Sequence, residues 1–217
     1  MISKTQLQQI LKPLSDEQKD ARTQKAIQNI LKSCTKNADG TYSSSGDINL
    51  SGFGLKKLPV KFKAVGGSFH CDNNNLITLE GAPEEVGKTF DCSYNKLISL
   101  AGAPKTVGSG FYCLGNNLIT LEGAPEEVNG TFSCSGNNLT ILKGAPEEVG
   151  EDFYCIENKL TTLEGAPQTV GGSFYCSDNK LTTLEGAPEE VGKMFLFNRN
   201  SVSNEELKKT VKRKYLK

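Results

Sequence analysis

The sequence predicts an α/β repeat solenoid: a right-handed coil whose short parallel strands line a concave sheet, with a helical cap at each end. Three observations carry that expectation. Phenylalanine recurs at 69, 90, 111, 132, 153, 174 and 195, a period of 21 residues without a slip. Cysteine, asparagine and leucine recur in the same register. Both termini abandon the period and take up helical spacing. Self-similarity at such a period marks one small unit stacked along an axis, because a single unit cannot bury its apolar side chains until a neighbour covers it.

Within each unit the order of elements follows from the residue types. Cys71, Cys92, Cys113, Cys134, Cys155 and Cys176 stand two residues after phenylalanine, so F-x-C places two apolar side chains on one face of a short strand. Strands stacked at about 4.8 Å make a parallel sheet, and seven intervals span roughly 34 Å. Asn74, Asn95, Asn116, Asn137, Asn158, Asn179 and Asn200 come three residues later. An amide there suits an inward ladder that bonds the turning backbone of its own and the next coil. Paired leucines follow, as in Leu76 and Leu79, then Gly-Ala-Pro and a closing valine such as Val86. Proline followed in four copies by Glu-Glu reads as the first turn of a tiny helical segment, with the glutamates solvated. A worn copy precedes the rest, with Ile48, Leu50, Leu55, Leu58, Phe62 and Val65 at the apolar positions, which makes eight strands in all.

The pattern F-x-C-x-x-N-x-L-x-x-L-x-G-A-P-x-x-V resembles the leucine-rich repeat signature L-x-x-L-x-L-x-x-N-x-L, with Phe and Cys in place of the two strand leucines. The likeness covers residues 48 to about 202. It departs at the first leucine of the signature, where Gly87, Gly108 and Gly171 stand and valine sits one residue earlier. The C-x-x-N-x-L-x-x-L-x-G-A-P form is similar to short repeats of bacterial and bacteriophage proteins. The resemblance implies a leucine-rich-repeat-like coil that binds a macromolecule on its concave face. It also takes in bacterial effectors that carry a ubiquitin-ligase domain, for which no residues are expected here.

The ends supply the lids that an open stack requires. Residues 1–46 read as a helical cap and connecting loop, 47–202 as the solenoid, and 203–217 as a capping helix. Ser3-x-x-Gln6 and Ser15-x-x-Gln18 are helix-start boxes. Leu7, Ile10, Leu11 and Leu14, then Ala26, Ile27, Ile30 and Leu31, follow helical spacing around the break at Pro13. Residues 35–47 lack apolar periodicity and read as a loop or short hairpin. Ser203-x-x-Glu206 opens the last helix, which carries Leu207, Val211, Tyr215 and Leu216.

Charge and composition exclude several classes. The chain is neutral overall, but residues 69–193 hold seven basic and eighteen acidic side chains while both ends are basic. An acidic body argues against a nucleic-acid groove, which works by neutralising phosphates. No stretch approaches the roughly 18 apolar residues that span a membrane, and no signal peptide is legible, so a cytoplasmic protein is expected. The basic run Lys208 to Lys214 reads as a solvated helix face.

Catalytic and metal chemistry fare no better. The six register cysteines form a line rather than a converging set of four ligands, so they read as small buried thiols, without metal or disulfide. Cys34 reads as a helix-end packing residue. His70 is the only histidine, and Cys71 beside it faces the other way, so the two make no nucleophile–base pair. No enzyme, no cofactor and no metal site is expected.

Surface is what remains. One residue between each Phe and Cys faces outward: His70, Asp91, Tyr112, Ser133, Tyr154, Tyr175 and Leu196. The expected binding patch is Tyr112, Leu114, Tyr154, Ile156 and Tyr175, flanked by Tyr94 and Arg199, with the three strand tyrosines within roughly 15 Å along the stack. Asp152, Glu157 and Asp178 border it, so the expected partner is a protein with a basic rim. The function expected is that of a monomeric, non-enzymatic binding module, a bacterial or phage adaptor or inhibitor of a host protein. The alternative is a structural component that docks through its caps.

Overall fold

The computed structural model describes residues 16–203. The chain divides into two compact units, Met1–Ser33 and Cys34–Lys217. The first contains helix α1 (Asp16–Lys32), which begins directly after the Ser15 box. Ile27 is buried and Ala26, Ile30 and Leu31 half-buried, while Lys25, Gln28 and Asn29 are exposed, as the helical spacing requires. The helix ends where Ser33 turns back, its N–H and Oγ both donating to the Ile30 carbonyl. The helix expected over Leu7 to Leu14 and the C-terminal helix lie outside the described residues.

The second unit is a parallel β-solenoid with two sheets. The first has eight strands: β3 (Ile48–Asn49), β5 (Phe69–His70), β7 (Phe90–Asp91), β9 (Phe111–Tyr112), β11 (Phe132–Ser133), β13 (Phe153–Tyr154), β15 (Phe174–Tyr175) and β17 (Phe195–Leu196). These are the eight expected strands, and every pairing is in register at one period, from Ile48 against Phe69 to Phe174 against Phe195.

The second sheet corrects the sequence reading. The Pro-x-x-Val segments, four of them Pro-Glu-Glu-Val, are not helical; they are strands β6 (Glu85–Val86), β8 (Thr106–Val107), β10 (Glu127–Val128), β12 (Glu148–Val149), β14 (Thr169–Val170) and β16 (Glu190–Val191). They continue β4 (Phe62–Val65) in a nine-stranded sheet. Only two residues separate Pro from Val, too few for a helical turn. The backbone is satisfied laterally instead, Glu84 N–H donating to Lys63 O and Gly87 N–H to Val65 O of the preceding coil. The glutamates are exposed, as expected, and the valines buried, apart from half-buried Val191. The segment 35–47 is a hairpin: β1 (Thr35–Lys36) pairs antiparallel with β2 (Tyr42–Ser44), which starts the nine-stranded sheet. The solenoid coils are therefore β rather than α/β.

The glycine that displaces the signature leucine has a steric cause. A Cβ on Gly108 would lie 2.2 Å from the Gly87 carbonyl oxygen, and one on Gly171 2.3 Å from that of Gly150. Successive coils touch backbone to backbone at this corner, and glycine holds it in every copy but one, where Asn129 stands.

The interior is a set of one-residue columns. Phe69 to Phe174 are fully buried, their rings stacked at 5.1–5.8 Å. The six register cysteines and both leucine columns are buried beside them. Sγ of Cys113 donates to the Ser133 carbonyl at 3.3 Å, and Cys92, Cys134 and Cys155 do the same one coil on. Burial pushes these thiols well above their ordinary range, that of Cys176 to about 12.

The asparagine ladder exists, with one correction: each amide bonds its own coil and the preceding one, not the next. Asn95 Nδ2 donates to Cys92 O at 3.1 Å and to Cys71 O at 3.0 Å, while its Oδ1 accepts the Leu76 N–H at 2.9 Å. The pattern runs through Asn200, and in the worn first copy Phe53 takes the asparagine position.

Candidate functional site

The outward positions of the eight-stranded sheet form one column in the order His70, Asp91, Tyr112, Ser133, Tyr154, Tyr175, Leu196, each paired with the next. Alternation along the strand puts them opposite the buried Phe and Cys. All are half-buried except Ser133, which is buried between the tyrosines of the neighbouring coils.

The tyrosines lie along their strands rather than standing off the sheet. The Tyr112 ring covers Gly110, whose absent Cβ would fall 2.6 Å from Tyr112 Cε2. Tyr154 lies the same way and donates its hydroxyl to Asp152 Oδ2 at 3.1 Å. Tyr154 and Tyr175 stack at 4.5 Å with parallel rings. Burial, the hydrogen bond to Asp152 and that residue's charge hold the Tyr154 hydroxyl up at about 12. It stays a neutral donor.

The remaining predicted residues are placed less uniformly. Leu114 and Ile156 sit half-buried on the same face, two residues beyond Tyr112 and Tyr154. Tyr94 and Arg199 belong to the turn after the strand, at φ of 53° and 55°. Tyr94 is exposed and its ring lies over Gly115. Arg199 is paired with Asp178 at 3.1 Å. Asp152 also accepts the Ser173 N–H at 2.7 Å, so it braces the start of the next strand as well as Tyr154. The structure thus gathers Tyr112, Leu114, Tyr154, Ile156 and Tyr175 on one face and leaves Tyr94 and Arg199 at its edge.

Sequence reasoning missed two features. Ile77, Ile98 and Ile119 occupy one register position, between the two leucine columns, and are exposed at 64%, 60% and 64%. The leucine-rich pattern hides them, since only the register separates an outward isoleucine from its buried neighbours. The second is a cluster of His70, Asp72 and Asp91, all half-buried, with donor atoms within 4.8 Å of one another. Burial raises the Asp91 carboxyl and the Asp72 charge adds to this, while the Ser93 groups beside it and His70 pull the other way. A separate groove of about 520 Å³ crosses the nine-stranded sheet, lined by residues such as Glu85, Lys105, Thr106 and Asn129. It holds neither histidine nor cysteine.

Among the described residues no helix is long and apolar enough to cross a membrane. Compared with known proteins, the chain matches no protein-family model and no curated sequence.

Proposed function

We propose that this chain is a non-enzymatic protein-binding module that holds its partner on the tyrosine face of the eight-stranded sheet. The observation that carries the reading is the Tyr154–Tyr175 pair, half-buried, parallel and braced by Asp152. The rings are already ordered, so little rotamer entropy is lost on binding, and they offer broad apolar area with a polar tip. Leu114 and Ile156 extend the apolar centre, and Glu157 and Asp178 give it an acidic border that suits a partner with a basic rim. The coil is leucine-rich-repeat-like and right-handed with this face concave, a reading supported by the parallel F-x-C strands and their asparagine ladder. Helices at both termini serve as lids. The role is that of a bacterial or phage adaptor or inhibitor in the cytoplasm of the host cell.

The test is the affinity of a captured partner for the Tyr154→Ala/Tyr175→Ala double variant. Losing the stacked pair costs the fold about 1 kcal/mol and binding about 2 kcal/mol or more. A folded double variant with unchanged affinity removes the site from this face.

A second reading has its own observation: in the last coil Phe195, Leu196 and Phe197 are only half-buried, and among the described residues β17 pairs with β15 alone. Docking of that end into a larger assembly fits this. Concentration-dependent self-association that spares the tyrosine variant would favour it.

A further inference from the structure

The cluster of His70, Asp72 and Asp91 takes no part in the tyrosine face, and its chemistry points elsewhere. His70 and Asp91 stand opposite each other on the paired strands β5 and β7. Asp72 emerges on the same face, because Cys71 between it and His70 is turned into the core. We propose that these three side chains bind a divalent transition-metal ion of the Zn2+ class.

Four observations support the site. The donor set comprises one imidazole nitrogen and two carboxylates, a mixed nitrogen–oxygen set that suits Zn2+ and leaves coordination positions open. Charge is the second. Two carboxylates with a neutral imidazole carry two negative charges, and among the described residues neither is ion-paired with a lysine or arginine. Spacing is the third. The donor atoms lie within 4.8 Å of one another, yet no ion pair within 4.0 Å joins His70 to either aspartate among the described residues. The groups stand too far apart to satisfy one another. Bonds of about 2.0–2.2 Å to a shared tetrahedral ion place donors about 3.4 Å apart, a closure of no more than about 1.5 Å for side chains at a half-buried surface.

The fourth observation is the surrounding shell. The Asp72 carboxylate is fixed by hydrogen bonds from Ser51 Oγ and from Asn73 Nδ2. Asp91 Oδ1 accepts the Ser93 N–H at 2.9 Å. Such bonds orient ligands and are half of what makes a metal site. The Ser93 hydroxyl, on a residue 2% exposed, lies beside the same Asp91 carboxylate and has no other partner among the described residues.

The experiment is helped by the sequence, since His70 is the only histidine and its imidazole resonances are unambiguous. Zn2+ is titrated into the untagged full chain, followed by imidazole NMR and by calorimetry, with His70→Gln and Asp91→Asn alongside. We expect one Zn2+ per chain, imidazole signals that shift on its addition, and affinity lower by about tenfold or more in each variant. Imidazole resonances that ignore one equivalent of Zn2+ overturn the proposal. Uptake unchanged in both variants also overturns it, as does a thiolate-to-metal charge-transfer band with Cd2+, which places the ion on the cysteines. The NMR arm uses the unmodified chain and stands even if a variant fails to fold.

Discussion

Replacing Asn116 by alanine tests the ladder at the middle of the stack. The amide accepts the buried Leu97 N–H on Oδ1 at 3.0 Å and donates from Nδ2 to Cys92 O and Cys113 O, both at 3.1 Å. The two carbonyls keep a second donor in the variant, since Cys92 O also receives Asn95 Nδ2 and Cys113 O receives Asn137 Nδ2. Leu97 N–H does not. Leaving one buried donor unmade costs about 1–3 kcal/mol, and two further bonds are each worth about 0.5–1.5 kcal/mol net. The expected loss is about 3–4 kcal/mol, a large share of the stability of a domain. Urea denaturation followed by circular dichroism reads it, with Asn117→Ala, an exposed neighbour in the same turn, as the reference. If the two variants fall within about 0.5 kcal/mol of each other, the ladder does not hold the coils together.

Three further outcomes follow from the same geometry. Gly108→Ala should destabilise by about 2 kcal/mol or more, because its Cβ would meet the Gly87 carbonyl at 2.2 Å, whereas Ser109→Ala beside it should be near neutral in a thermal melt. The register thiols should react with a maleimide no faster than the chain unfolds, a rate that protein mass spectrometry follows directly. Burial raises the Cys113 thiol well above its ordinary value of 9.0, so the stability it adds is complete below about pH 9 and is lost as rising pH ionises the thiol of the unfolded chain. The urea midpoint should therefore fall as pH rises from about 9 to about 10.5, and fall less in Cys113→Ala. Equal slopes would contradict that cause.

The period made most of the fold legible because it fixes which residues meet. Phe on Phe, Cys on Cys and the seven F-x strands with the Ile48 strand before them follow from register alone. The second sheet did not, since a helix start and a short strand both begin with Pro and acidic residues. Lateral bonding, visible only once coils are stacked, decides between them. Tyr112, Tyr154 and Tyr175 fell on one face for the reason expected, strand alternation. That Tyr154 would lie against Asp152 was not legible, because it depends on a rotamer. The His70–Asp72–Asp91 cluster is not legible from any one of its residues, because it forms only when His70 and Asp91, 21 apart in sequence, meet across paired strands.

The most direct test of partner binding on the tyrosine face is a photo-cross-linking amino acid placed at Tyr175, with Glu148, exposed on the nine-stranded sheet, as the comparison site. Cross-linking in the native host cell should join one protein to position 175 and not to 148, and that protein should lose affinity for the Tyr154→Ala/Tyr175→Ala variant. Equal cross-linking from both positions, or a partner that position 175 never reaches, would contradict the account.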